Sequence, residues 1–177
     1  MASNFYSDIL VEPKRSNRFF FYLNDIDVFV VRNVAKPSFS VSTAERKFGQ
    51  HRFRWPGSVT WNDVSFTITD AANPDSTAKL VNHLVDAGYL PPSSFDNSTK
   101  FLSKAKMVTA IGVPRIVQID ADGKPLEEWR LHNAFIVNAD FGKLDYENDS
   151  LVDISLTISY DWATLNGTNP ASKLVQS

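Results

Sequence analysis

Residues 152–162 read Val-Asp-Ile-Ser-Leu-Thr-Ile-Ser-Tyr-Asp-Trp, an unbroken alternation of apolar and polar side chains. Successive side chains of a strand point to opposite faces, whereas a helix repeats every 3.6 residues. The segment therefore reads as one long strand. Val152, Ile154, Leu156, Ile158, Tyr160 and Trp162 share its buried face. Asp153, Ser155, Thr157, Ser159 and Asp161 share the other, which is small, hydroxylic and acidic and carries no cation. A strand that is apolar on one side needs a second layer to cover it, so the chain must supply more strands or a helix.

It supplies mainly strands. Residues 18–23 (RFFFYL) and 28–32 (VFVVR) flank the turn pair Asn24-Asp25 and read as an opening hairpin. After Lys36-Pro37, residues 38–44 alternate, and the charged run 45–52 (ERKFGQHR) is placed like a hairpin tip around Gly49. Pro56-Gly57 reads as a turn. Residues 59–69 form a strand in which Trp61 is out of step with Val64, Phe66 and Ile68, which predicts an irregularity near Asn62-Asp63. Residues 115–119 and 126–131 form a hairpin across Ala121-Asp122-Gly123-Lys124, and 135–138 continue extended. One helix stands out: Asn73 as cap, Pro74 at its first position, an apolar stripe of Leu80, Val81, Leu84 and Val85, and Gly88 as its stop. A short second helix is expected within 101–111. The fold class is mostly β: a sandwich or partly open barrel with one main helix, as a single domain over 1–177. Its core is expected over 18–165, with an N-terminal arm (1–17) and a polar C-terminal tail (166–177). The length of 177 residues and 13 Phe suit one sizeable core.

Chemistry is hard to place on this chain. With no cysteine, it has no disulfide, thiolate nucleophile or cysteine-ligated zinc. His51, His83 and His132 are scattered, and His83 has no partner one helical turn away. Asp120-Ala121-Asp122-Gly123 lacks the later ligands of a calcium loop and reads as a turn. Glu127 and Glu128 are adjacent on a strand and point to opposite faces, so they do not flank one bond. No phosphate-binding or nucleophile-elbow motif occurs. The expectation is a protein that is not an enzyme and takes no cofactor or metal. The formal net charge of −2 lacks the basic excess of a nucleic-acid binder. No apolar run approaches the roughly 20 residues of a membrane helix, so no membrane anchor is expected. The N-terminus lacks the basic-then-apolar order of a signal peptide.

Three stretches, taken in order, carry a resemblance. Residues 18–41 (RFFFYLNDIDVFVVRNVAKPSFSV) pair two strands with a Pro-containing link. Residues 55–84 (WPGSVTWNDVSFTITDAANPDSTAKLVNHL) run from a Gly turn through a Trp-containing strand and an Asp-rich loop into a helix. Residues 133–165 (NAFIVNADFGKLDYENDSLVDISLTISYDWATL) give an aromatic strand, a Gly turn, an acidic loop and the long alternating strand. Together they resemble the tail tube proteins of contractile-tailed, T4-like phages. Ile136 departs from that pattern where a proline is expected, and the arm and tail are longer.

The resemblance implies a subunit that joins its sheets with those of its neighbours into hexameric rings, which stack into a tube. It implies as partners the chain itself, the tail sheath protein, the tape-measure protein, and baseplate and tail-terminator proteins. DNA would be transient, non-specific cargo. The implied location is the virion tail, after assembly in the host cytoplasm. Within that frame, Glu45, Arg46, Lys47, Gln50, His51 and Arg52 are candidates for a ring-stacking loop. Asp153, Ser155, Thr157, Ser159 and Asp161 are candidates for a lumen wall or other polar face. Phe5, Tyr6, Ile9 and Leu10 are candidates for an inter-subunit arm. A baseplate-proximal tube initiator and the tube of a related contractile injection system fit the same features. A different class also stays open: a β-sandwich that binds a carbohydrate or small ligand, with Trp55, Trp61 and Trp129 as a stacking platform.

Overall fold

A computed structural model describes residues 13–24, 31–73, 75–89, 102–147 and 149–167. The expected arm residues Phe5, Tyr6, Ile9 and Leu10 lie outside these. The architecture is mostly β, as expected, and the described residues contain two helices and form no closed barrel. The strands are β1 (Phe19–Tyr22), β2 (Val31–Val34), β3 (Ser38–Phe48), β4 (His51–Asn62), β5 (Val64–Thr69), β6 (Arg115–Ile119), β7 (Pro125–His132), β8 (Phe135–Asp140), β9 (Asp153–Ser159) and β10 (Trp162–Gly167). The helices, α1 (Ser76–Asp86) and α2 (Lys104–Ile111), fall between β5 and β6. One antiparallel sheet has the order β1-β6-β7-β10, a second β2-β5-β9-β8, and β3-β4 forms a separate two-stranded ribbon.

The core lies between the two four-stranded sheets. Val64, Phe66 and Ile68 of β5 and Ile154, Leu156 and Ile158 of β9 are fully buried on one side of the second sheet. Phe21, Ile116 and Leu131 meet them from the first sheet, and the rings of Phe21 and Phe66 pack with centroids 4.8 Å apart. Each such side chain withdrawn from water contributes roughly 1.5–3 kcal/mol. The buried face read from the alternation is the observed one from Ile154 to Tyr160.

The alternating segment is not one strand. β9 ends at Ser159, the chain turns at Tyr160-Asp161, and β10 joins the other sheet against β7. Asp161 fixes that corner. Its amide donates to the carbonyl of His132 (3.0 Å), and its carboxylate accepts from Lys104 Nζ (2.7 and 2.8 Å) and Asn133 Nδ2 (2.7 Å). Trp162 consequently leaves the buried face and stacks on His132, with centroids 5.1 Å apart. Residues 163–167 continue as strand, so the chain stays within the sheet beyond residue 165.

Three further local expectations change. Of the expected return strand 28–32, residues 28–30 lie outside the described residues; Val31 and Arg32 belong to β2, which pairs with β5, while β1 pairs with β6 in the other sheet. Asn24, expected in the turn, instead closes the end of α2. Its amide donates to Ile111 O and its Nδ2 to Ala110 O, both at 3.3 Å. Pro56-Gly57 is no turn but a bulge inside β4, where the register slips between Val41/Val59 and Thr43/Pro56. The cap of α1 is Asp75, not Asn73, and its Oδ1 accepts from Ala78 N–H at 2.9 Å. The irregularity near Asn62-Asp63 is real: it is the single residue, Asp63, by which the ribbon hands the chain to β5.

Candidate assembly surfaces

Long strands without a core side to bury are the first unusual feature. β3 and β4 hold 11 and 12 residues and are exposed along almost their whole length. At about 3.4 Å per residue the ribbon reaches roughly 35 Å. Its root is fixed: Trp61 packs on Phe39 (5.4 Å) and on Tyr160 (6.1 Å). Burial, with Asp63 nearby, pushes the Tyr160 phenol up to about 12, so it stays protonated.

Residues directly opposite in an antiparallel pair share a face. At the root, Phe39/Trp61 and Val41/Val59 make one face apolar. Beyond the bulge, Glu45/Arg54 and Lys47/Arg52 make one face charged, while Ala44/Trp55, Arg46/Phe53 and Phe48/His51 make the other aromatic and basic. The bulge inserts the extra residue that changes this pattern. Ser42 Oγ accepts from Ser58 N–H at 2.9 Å there. A Cβ on Gly57 would sit 2.4 Å from Ser42 Oγ and 3.1 Å from Ser42 O, so glycine is the residue that fits.

The expected stacking residues Glu45, Arg46, Lys47, Gln50, His51 and Arg52 are thus brought together at the ribbon tip, on both faces and at the Gly49-Gln50 turn. Glu45 is held by Arg54 (2.6 Å) and Arg52 (3.9 Å). Arg46 and Lys47 make no ion pair with any described residue. Phe48, Phe53 and Trp55 were not among the expected stacking residues, yet Phe48 is 80% exposed and the other two about half. Reading Pro56-Gly57 as a turn cut Phe53 and Trp55 off from the tip; the ribbon register puts them on one face with Phe48.

The polar side of the second sheet is wider than one strand. Ser155, Thr157 and Asp153 lie opposite Thr67, Ser65 and Thr69 of β5, and Asn33 lies opposite Thr67. Ser159 faces Phe135, and Asn138 and Asp140 of β8 pair with Thr157 and Ser155. Arg32 reaches the Asp153 carboxylate and neutralises it. Asp161 stands apart from this face, at the corner, where its hydrogen bonds from Lys104 and Asn133 hold its carboxyl below the usual range. The hydroxyls of β5 were legible in its own alternation, VSFTIT, but the register that joins them to β9 was not.

Two other surfaces complete the picture. Leu80, Val81 and Leu84 of α1 face Met107 and Ile111 of α2 and Ile136 of β8 across an apolar groove of about 310 Å³. Leu80 alone of the helical stripe is buried; Val81, Leu84 and Val85 stay about 40% exposed. After β8, residues 141–147 and 149–151 are exposed loop and carry Leu144, Tyr146 and Leu151 in the open.

Glu127 is buried on β7 and takes charged hydrogen bonds from Lys14, just inside the N-terminal segment, and Lys36, in the link leading to the ribbon. Gln118 joins the group: Lys36 Nζ donates to its Oε1 (2.6 Å), and its Nε2 donates to Arg15 O (3.0 Å). Burial pushes the Glu127 carboxyl up, but the two lysines outweigh it and leave it below its ordinary value. Glu128 points the other way, to Arg130 and Arg115. Trp55, Trp61 and Trp129 sit in three different surroundings: the ribbon tip, the ribbon root and the packed side of the first sheet. Among the described residues no three His, Asp or Glu side chains converge as metal ligands, and no helix is long and apolar enough to cross a membrane.

No family sequence model and no curated protein sequence matches the chain. Solved structures do. The chain is similar to one in the tube-terminating cap of the anti-feeding prophage, with a TM-score of 0.65 and 17% identity over 95% of this chain and 100% of that one. It is similar to one in the extended sheath–tube complex of an extracellular contractile injection system, with a TM-score of 0.64 and 16% identity over 90% and 95%. A chain of the anti-feeding prophage baseplate gives 0.62 and 16% over 92% and 99%. The protein therefore shares its fold, over 90–95% of its length, with subunits of contractile injection assemblies.

Proposed function

We propose that this protein is a structural subunit of the inner tube of a contractile tail, self-assembling into stacked hexameric rings that form a conduit. The observation that carries the reading is the likeness, over 90–95% of its length, to chains of contractile injection assemblies. The three-segment resemblance to phage tail tube proteins points to a phage tail with its genome as cargo. Sheath, tape-measure, baseplate and terminator proteins are then its partners, and its role is structural rather than enzymatic.

Physical features support the same reading. Among the described residues, each four-stranded sheet ends in strands paired on one side only, β1 and β10 in one and β2 and β8 in the other. Closing such edges against a neighbour removes an aggregation hazard. The cross-strand hydroxyl face of β5 and β9 suits a wall that must let a polyanion slide: it offers phosphates no array of cations. The projecting ribbon suits contact with a neighbouring ring.

Negative-stain microscopy of the purified protein at high concentration tests the reading. Rings or tubes are expected. A persistent monomer that binds glycans would replace it with the binding-module reading. An initiator would stop at one ring, whereas a tube subunit keeps elongating.

A further inference from the structure

The ribbon tip and the loop after β8 are charged oppositely and rooted at opposite ends of one sheet. Residues 45–54 hold four cations, Arg46, Lys47, Arg52 and Arg54, and one carboxylate. From Asp140, the last residue of β8, through the loop to residue 151 there are four carboxylates, Asp140, Asp145, Glu147 and Asp149, and one cation. The formal charges, +3 and −3, match in size. Both protrusions also expose large apolar groups: Phe48, Phe53 and Trp55 on the tip, Leu144, Tyr146 and Leu151 on the loop.

Strand register fixes where each is rooted. β4 feeds β5 at Val64, which pairs with Ile158. The loop enters β9 at Asp153, which pairs with Thr69 at the other end of β5. A tether holds the loop there: Asp70 N–H donates to Val152 O at 2.8 Å. The loop's fold is set locally, with Asp140 Oδ1 accepting from Gly142 N–H (3.0 Å) and Asp145 Oδ1 from Glu147 N–H (3.1 Å).

We propose that the ribbon tip of one copy docks head-to-tail on the 140–151 loop of a second copy. The contact joins two different surfaces of the same chain, so it is heterologous and repeats without closing on a pair. Opposite charge brings the copies into register, and the exposed aromatic groups lose water on contact. The proposal rests on the tube-subunit reading and names the surface that each ring offers the next.

The natural absence of cysteine makes the test direct. Gln50→Cys and Tyr146→Cys are prepared as separate proteins and mixed with a short thiol crosslinker. The mixture is expected to give a crosslinked pair, and neither protein alone is. In parallel, Lys47→Glu with Arg52→Glu, or Asp145→Lys with Glu147→Lys, is expected to raise the concentration needed for stacking by about tenfold or more, and all four changes together to restore it. Gln50→Cys crosslinking to itself would overturn the proposal in favour of a tip-to-tip contact. Wild-type protein that stacks while the mixture stays uncrosslinked would overturn it and leave the tube reading standing. Wild-type protein that never assembles would overturn both.

Discussion

Trp61 and Tyr160 pack with ring centroids 6.1 Å apart, and this contact ties the root of the projecting ribbon to the corner where β9 gives way to β10. Beyond Trp61 the strands of the ribbon are exposed, so among the described residues its packing is concentrated at this root. Trp61→Ala is expected to cost about 2 kcal/mol in urea denaturation, below the full value for a buried Trp since the side chain is only partly buried. Limited proteolysis should then cut the ribbon faster than global unfolding alone allows. Unchanged ribbon protection would mean that the root is held by other contacts.

The buried face of β9 can be tested against its neighbouring positions. Leu156→Ala is expected to cost about 3 kcal/mol, and Leu156→Asp to prevent folding by burying an unpaired charge. Ser155→Ala, one residue away on the exposed side, should stay within about 0.5 kcal/mol of wild type. Thermal melts of the three proteins give the comparison. A folded Leu156→Asp protein would show the face to be misassigned.

Glu127 predicts a pH dependence with a defined sign. Its folded-state value lies below the ordinary 4.5, so the unfolded chain binds the proton more readily. Its contribution is therefore complete above about pH 4.5 and is lost as pH falls through the folded value. Glu127→Gln should lower stability by about 1–3 kcal/mol at pH 7. It should also flatten the part of the acid-unfolding curve below pH 4.5 relative to wild type. Parallel curves would remove the Lys14–Glu127–Lys36 group as a source of stability.

The hydroxyl face of the second sheet predicts a gain of function. Thr67→Lys with Ser155→Lys places two cations side by side on the polar side of the sheet, at a half-buried and an exposed strand position. Folding and assembly should be kept. Retention of DNA by the assembled protein, absent in wild type, should appear at low salt and weaken steeply as salt rises. Equal retention by both proteins would show that this face does not meet the cargo.

Gly142 offers a test of the loop. Its φ is +78°, and a Cβ there would lie 2.7 Å from the carbonyl oxygen of Asp153. Gly142→Ala should cost about 1–2 kcal/mol through strain. It should also shift the loop and weaken assembly more than it weakens the fold, read by sedimentation against a thermal melt.

Periodicity alone determined much of this molecule. The alternation of 152–160 and of β5 assigned Ile154, Leu156, Ile158, Val64, Phe66 and Ile68 to the core, because a strand's side chains have no choice but to alternate. The 115–131 hairpin, the tip of the ribbon and the two helices were legible for the same local reasons. What the sequence could not decide was which edge each strand would join. Asn24 reads as a turn residue until α2 offers it two carbonyls. Pro56-Gly57 reads as a turn until Ser42 shows that it is a bulge. Tyr160-Asp161-Trp162 reads as strand until Lys104 and Asn133 draw Asp161 aside and send the chain into the other sheet. Each of those choices depends on a hydrogen-bond partner far away in the chain. The cross-strand register that unites Ser65, Thr67, Ser155 and Thr157, and that sets the basic tip and acidic loop at opposite ends of β5, is therefore a property of the tertiary structure alone.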